Sequence, residues 1–385
     1  MEHLEEIKIN DIWQHNVNLL IGSGASFGLF PTLATQMENE SIETLGKYFE
    51  DENKLQLKSL LFMYYYVNCI EPVISFDIEE IKSGADLAIE LELDGDEDVR
   101  KLAVIKNYQA LLKTLKTIAS KNKSQKKANI FTTNYDSCFA DAYEELLLEE
   151  SNLEFVLNDG SKGFRRKFVE ARHFDTSEIK HSIFGKNCFS IPQANLVHLH
   201  GSAFWTLNDN RIAVNYDDKD CKFEDEFFDS VNSELEELEA ILNNKEATRD
   251  AFDTITFNET FSDIEKIFWA TYKKLPIVNP TKWKFHETVF DEHYYQMLRL
   301  MSYELEKQDS TLIAFGFSFA DEHITNLIKR SLGNKSLTMY LCCFDAPTID
   351  AMETLFGSFN NVKLIKLDGF LDFDAFNNKV FKLPS

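Results

Sequence analysis

No C-x-x-C pair occurs anywhere in the 385 residues. That absence removes the usual signature of a zinc site, and the six cysteines (Cys69, Cys138, Cys188, Cys221, Cys342, Cys343) read as reduced thiols rather than disulfides. Cys342 and Cys343 fall in an apolar run that reads as a strand, where buried thiols are common. Long hydrophobic runs are missing as well. The longest, Leu60–Val67, falls far short of the roughly 18 residues that a membrane span needs. The acidic start, Met1–Glu6, is unlike a signal peptide, so the expectation is a soluble, cytoplasmic protein that makes no membrane contact. Basic charge is scarce, with 40 Lys and Arg against 64 Asp and Glu, a net of −24. Such a field repels polyphosphate backbones and argues against nucleic-acid binding, while a small anion remains compatible if basic groups or helix ends are local. There is no internal repeat and no low-complexity tract.

What is present is a large apolar inventory: 44% hydrophobic residues, 33 of the 385 being Phe. That is enough for an extensive core, in two to three domains or one elaborated domain. A short helix is expected before residue 17. Val17–Ile21 reads as a buried strand running into Gly22-Ser23-Gly24-Ala25-Ser26, with Phe27–Met37 expected to begin the first helix or a loop and helix, Pro31 near its start. Apolar positions then recur at helical spacing (Leu55, Leu57, Leu60, Leu61, Tyr64, Tyr65, and later Leu102 to Ile118), which predicts a helical insertion over 40–125 ending in a basic helix cap, Lys121–Lys127. Asn129–Thr132 reads as a strand, Thr133–Asp136 as the loop at its end, and Ser137–Glu150 as a helix. Residues 150–275 read as a smaller, irregular and acidic subdomain. It holds a basic-aromatic knot at Phe164–Phe168, read as a surface loop or, alternatively, as an arm that contacts ligand phosphates or a partner, a hairpin over 204–216 turning at Asn208–Asn210, and a solvated helical excursion, dominated by acidic residues, from Asp217 to Asp263. The end alternates again: a long helix marked by Tyr294, Met297, Met301 and Leu305, the strand Leu312–Phe315 followed by Gly316–Ser318, a helix Asp321–Leu332, the strand Leu337–Phe344, a helix Ile349–Phe356 and a strand Val362–Ile365. The alternation predicts an α/β fold: a Rossmann-like parallel sheet with helices on both faces, plus the inserted helical subdomain.

Four unusual loops fall at predicted strand C-termini, where ligands of such sheets bind: Gly22–Ser26, Thr133–Asp136, His200–Ser202 and Gly316–Ser318. Each has a plain structural reading. The first is an incomplete dinucleotide fingerprint, because Phe27 occupies the third glycine position, Gly28 comes one residue late, and no acidic residue ends a second strand about 20 residues on. Alone it reads as a tight turn. Asn134 and Asp136 can satisfy turn backbone, or hold a ribose or a water. His200 can be a half-buried histidine on a loop carbonyl, as His198 is expected to be, or a general base.

Taken in order, the four loops resemble those of the sirtuin family. Gly22-Ser23-Gly24-Ala25-Ser26 is similar to the family's Gly-Ala-Gly loop, Thr132-Thr133-Asn134-Tyr135-Asp136 to its Thr-Gln-Asn-Ile-Asp motif, His200-Gly201 to its catalytic His-Gly, and Gly316-Phe317-Ser318 to its ribose-binding Gly-Thr-Ser. Gly316–Ile324 looks like the extended form in bacterial sirtuin-like proteins of antiphage defence. The paired cysteines that hold zinc in sirtuin deacylases are missing, and so is their Pro-Asp-Phe-Arg sequence, with only Phe30-Pro31 in its place. The resemblance therefore implies an NAD+ glycohydrolase that needs no zinc or other metal. Asn134, His200 and Asp136 would be catalytic, and Gly22, Ser23, Gly24, Ala25, Ser26, Thr133, Gly316 and Ser318 would bind NAD+ as substrate. Asp321 and His323 belong to the extended signature without a chemical step, and helix capping is the preferred reading of Asp321. The resemblance further implies a homo-oligomer, with a HerA-type ATPase as partner and defence by NAD+ depletion as the outcome. The alternatives are a scaffold that senses NAD+ or ADP-ribose without turnover, and a protein deacylase without the zinc module.

Overall fold

The computed structural model describes residues 1–31, 35–38, 40–91, 93, 95–181, 188–208, 211–217, 222–224, 226–278 and 288–384, the last range without the side chains of 288–291. The chain divides into two compact units. One comprises residues 1–29, 77–200 and 292–385, and the other residues 30–76 and 201–291.

An eight-stranded sheet centres the first unit: β1 (Glu2–Leu4), β2 (Asn16–Ile21), β3 (Lys127–Thr132), β4 (Val156–Asn158), β5 (Gln193–His198), β6 (Ser310–Phe315), β7 (Leu337–Cys342) and β8 (Val362–Ile365). Their order is β1-β8-β7-β6-β2-β3-β5-β4, and every pair is parallel. From β2 the path moves outward through β3 to β5. It then returns to the other side of β2 at β6 and continues outward through β7 and β8. This is the Rossmann order with one extra strand at each edge, and the reversal falls between β2 and β6. β2, β5 and β6 are buried along their whole length, as a parallel sheet covered on both faces requires. Leu20, Phe131, Val197, Leu312 and Ala314 share a core with Met297, Met301, Ile324, Ile328 and Phe356 of the helices Thr288–Glu306, Glu322–Ser331 and Ala346–Phe356. From the opposite face Phe315 stacks on Phe376 of the C-terminal turn, with ring centroids 4.5 Å apart.

Two expectations of local structure change. The lead-in is not helix alone: β1 pairs with β8, and only Ile9–Ile12 is helical. Phe27–Met37 holds no helix among its described residues. The glycine loop closes instead in one 3-10 turn, Ser23–Ser26, after which Phe27 is extended and Gly28, at φ +89°, turns the chain away. The insertion expected over 40–125 is split, since residues 40–76 belong to the second unit while Ile78–Glu90 and Glu97–Lys121 belong to the first, burying Leu111, Leu112, Leu115 and Ile118. The range 150–275 is likewise divided after His200.

The second unit holds the helices Ile42–Asp51, Leu55–Tyr65, Asn232–Leu242 and Phe261–Tyr272 and the hairpin Trp205–Asn208 with Arg211–Val214. The expected turn residues 209 and 210 lie outside the described residues. The acidic excursion is not simply solvated. Phe223, Phe228, Phe268 and Tyr66 pack ring to ring (Tyr66–Phe223 at 4.8 Å, Phe223–Phe268 at 5.5 Å), and Phe62 meets Trp269 at 5.1 Å. The acidic residues dominate the composition of that stretch, but its aromatic residues form the core. Phe164, by contrast, stands in the open turn of a small hairpin, Ser161–Gly163 with Lys167–Val169, and is almost wholly exposed, as the surface-loop reading expects. Among the described residues no helix is long and apolar enough to cross a membrane.

Candidate active site

The C-terminal ends of the four central strands lie in one register row. Phe315 is opposite Ile21, Ile21 opposite Thr132, and Thr132 opposite His198. The loops that follow therefore leave the sheet side by side, along an edge of about 14 Å given the usual strand spacing. The sheet thus brings together four segments that lie far apart in the chain.

The two glycine loops interlock. Gly22 N–H donates to the Phe315 carbonyl at 3.1 Å and Gly24 N–H to that of Gly316 at 2.9 Å. A Cβ on Gly22 would lie 2.4 Å from the Gly316 oxygen, and one on Gly24 would lie 2.8 Å from the Gly316 Cα. Gly316 has φ +65°, and its own Cβ would strike the Ala25 nitrogen. The glycines thus let one backbone lie on another. The exposed tip of the loop is Ser23–Gly24. Further along, Phe319 holds φ +60°, a conformation that costs a non-glycine residue about 1 kcal/mol or more, and is kept there by burial against Phe356 and by Thr325, whose hydroxyl bonds its carbonyl. Ser318, beside it, is exposed.

Ser26 is the hub of a buried cluster. Its Oγ donates to Asp136 Oδ2 at 2.7 Å, accepts from Asn134 Nδ2 at 3.1 Å, and lies 2.7 Å from the Tyr108 hydroxyl. Burial, and after it the Asp136 charge, raises Tyr108 far above its ordinary pKa, so the phenol keeps its proton and donates it to Ser26. Asp136 Oδ1 accepts from the Cys138 amide, so both carboxylate oxygens are occupied and Asp136 clasps the glycine loop to the start of the helix Cys138–Glu149. Asn134 is held at three points: its amide by Thr132 Oγ1 at 3.0 Å, its carbonyl by His198 Nδ1 at 3.1 Å, and its Nδ2 by Ser26. The fourth group, the buried Oδ1, has no hydrogen-bond partner among the described residues. Thr133, half-buried, bonds the Ile21 carbonyl through its amide.

His198 is the carbonyl-bonded core histidine that its position suggests, and burial lowers its pKa. His200 differs: its Nε2 lies 3.0 Å from Asp321 Oδ2. Asp321 caps the helix Glu322–Ser331 with its other oxygen, accepting from the His323 and Ile324 amides at 2.8 and 3.0 Å. Capping was legible in the sequence; the second engagement was not, because it joins residues 121 positions apart. The helix Thr288–Glu306 adds two neighbours that no motif marks. Tyr294 has its ring centroid 6.4 Å from that of His200, and burial followed by the Asp321 charge raises its hydroxyl. Burial and then the charge of His198 push His293 down to about 4. Tyr108 was visible only as a core position of a helix. Asn134 and His200 are linked through the His198 segment. Among the described residues no cluster of three or more His, Cys, Asp or Glu is arranged to hold a metal ion.

Compared with known proteins, the chain matches no family model and no curated protein.

Proposed function

We propose that this site cleaves NAD+ with water, giving nicotinamide, ADP-ribose and one proton. The observation that carries the reading is Asn134 Oδ1: a carboxamide immobilised at every other group, with its oxygen left open at a cost of about 1–3 kcal/mol, is built to accept from a water or a ribose hydroxyl. The Rossmann order supports a dinucleotide, since its ligands lie at the reversal between β2 and β6, where the Ser23–Gly24 tip and Ser318 stand exposed. The amides of Gly22, Gly24 and Ala25 already bond carbonyls of the two loops, so Ser23 and Ser318 are the groups left for the phosphates and the distal ribose.

The chemistry asks for a proton acceptor beside a fixed polar acceptor. His200 is the proton acceptor for the attacking water in this reading, and the Asp321 carboxylate, 3.0 Å from its Nε2, stabilises the imidazolium that results. Asn134 orients the water or the ribose. Asp136 acts one step back, holding Ser26 and through it the Asn134 carboxamide. The sirtuin resemblance, rather than this geometry, supports the wider role in defence by NAD+ depletion within an assembly. A second reading, a binder without turnover, is favoured by the engagement of both Asp136 oxygens, by Ser26 and by the Cys138 amide, which commits that carboxylate to holding the loops.

The test is nicotinamide release from NAD+ by the purified chain. Asn134→Ala and His200→Ala are each expected to lower it by at least about 100-fold while the fold persists. Full turnover in either variant refutes the assignment, and tight ADP-ribose binding with no product selects the second reading.

A further inference from the structure

The opposite ends of the same strands enclose a cavity of about 380 Å³, lined by Lys123, Lys126, Lys127 and Lys307 together with Asn16 and Glu304. Asn129 and Asn195 of its lining belong to a row of asparagines in matched register on four strands. Asn129 Nδ2 donates to Asn18 Oδ1 at 2.8 Å, Asn195 Nδ2 to Asn129 Oδ1 at 2.9 Å, and Asn158 Nδ2 to Asn195 Oδ1 at 3.1 Å. Glu304, buried, accepts from Asn16 and Asn129 and is neutralised by Lys307, which reaches both of its oxygens at 2.7–2.8 Å. Among the described residues Lys123, Lys126 and Lys127 form no ion pair at salt-bridge distance, although Lys127 feels the charges of Asp175 and Glu304. Lys126 and Lys127 each donate to one backbone carbonyl, of Ser120 and Phe174, although an ammonium carries three protons. Asp175 on the rim is the other carboxylate of the lining, so four lysines stand against two acids in a chain whose net charge is −24. Asn16 adds a second, independent sign: its carboxamide oxygen is buried without a partner among the described residues.

We propose that this cavity is a binding site for a small phosphate-bearing ligand. Its volume suits a small molecule rather than a polymer, and lysines recognise phosphate as point charges. Lys123, Lys126 and Lys127 meet the phosphate, and the open Asn16 oxygen favours a ligand that also carries hydroxyl donors. The site lies at the other end of β2, β3 and β5 from Gly22, Asn134 and His200, and it stands or falls independently of NAD+ cleavage.

The experiment is calorimetric titration of the full chain at low ionic strength with two probes, inorganic phosphate and ribose 5-phosphate. Both are expected to bind, the sugar phosphate at least about threefold more tightly, and each to raise Tm by about 3 °C near saturation. Lys126→Gln/Lys127→Gln is expected to weaken both probes at least about tenfold. Lys123→Gln, at an exposed position that cannot disturb packing, should weaken them about threefold, which keeps the test informative if the double variant is unstable. Asn134→Ala should leave both unchanged. Absence of binding by either probe overturns the proposal, and so does undiminished binding in the lysine variants or loss in Asn134→Ala, which would move the ligand to the other end of the strands. Equal affinity for the two probes overturns the role given to Asn16.

Discussion

Buried asparagines stand at both ends of β2, β3 and β5, and the two ends treat them differently. At the N-terminal end Asn18, Asn129 and Asn195 satisfy one another across the sheet, with Glu304 and Lys307 completing the network, and only Asn16 beside them keeps an oxygen without a partner among the described residues. At the C-terminal end Asn134 is fixed by Thr132, His198 and Ser26 and is then left open at one atom. A satisfied polar row inside a parallel sheet sets register: a one-residue slip of β3 would turn Asn129 to the other face and strand its partners. An unsatisfied group held rigidly is instead poised for something outside the chain. The same residue type thus closes a network at one edge and, at the other, supplies the open acceptor on which the proposed chemistry rests.

The comparison can be broken most forcefully at its structural end. Asn129→Leu removes a partner from Asn18, from Asn195 and from buried Glu304, and is expected to cost about 3–5 kcal/mol by chemical denaturation. Any folded fraction should retain whatever nicotinamide release the parent shows, since the proposed site lies at the other end of the strands. Next is Gly22→Ala, whose Cβ would meet the Gly316 backbone: a loss of about 2–3 kcal/mol in the same measurement, together with slower turnover because both glycine loops must shift. A variant with parent stability would show that the loops are not locked together.

Asp321→Asn sharpens the functional end. Asparagine caps helices as well as aspartate does, so stability should stay within about 0.5 kcal/mol, while nicotinamide release falls about tenfold and its pH profile shifts, because the imidazolium of His200 loses its carboxylate. An unchanged profile would reduce Asp321 to a cap. The smallest effect lies one helical turn beyond Asp136. Burial raises Asp141 to about 7, with Ser137 opposing and the Asp136 charge adding to the rise. Between its unfolded pKa near 4 and about 7 the folded chain holds a proton that the unfolded chain has released, so stability falls as pH rises through that window. Asp141→Asn should therefore match the parent near pH 4 and exceed it above about pH 7 by on the order of 1–2 kcal/mol, read as a Tm difference against pH. A pH-independent difference would refute the shift.

Much of the scaffold was legible. The apolar runs of β2, β3, β5, β6 and β8, the alternation around them and the cap at Asp321 are local signals, and each leads to its element. The acidic excursion misled because acidic residues outnumber the phenylalanines, whereas burial is decided by the few aromatic rings that find one another. Of the site, the four loops were visible as interruptions at strand ends. Their partners were not: Tyr108 at Ser26, Asp321 at His200 and His293 behind His198 are pairings across 82, 121 and 95 positions, and periodicity carries no information about such distances.

By itself, then, the sequence determined the class of fold, the strand ends where polar residues gather, and the lack of paired cysteines for a zinc module, since propensity, patterning and composition are local or summed properties. Only the tertiary structure decided which polar groups would be paired. Register placed Phe315, Ile21, Thr132 and His198 in one row. Close approach of two glycine loops took up three of their amides, and that same packing left one oxygen of Asn134 open. Hydrogen-bond satisfaction is a property of neighbours in space, and parallel strands obtain those neighbours only by crossing the sheet.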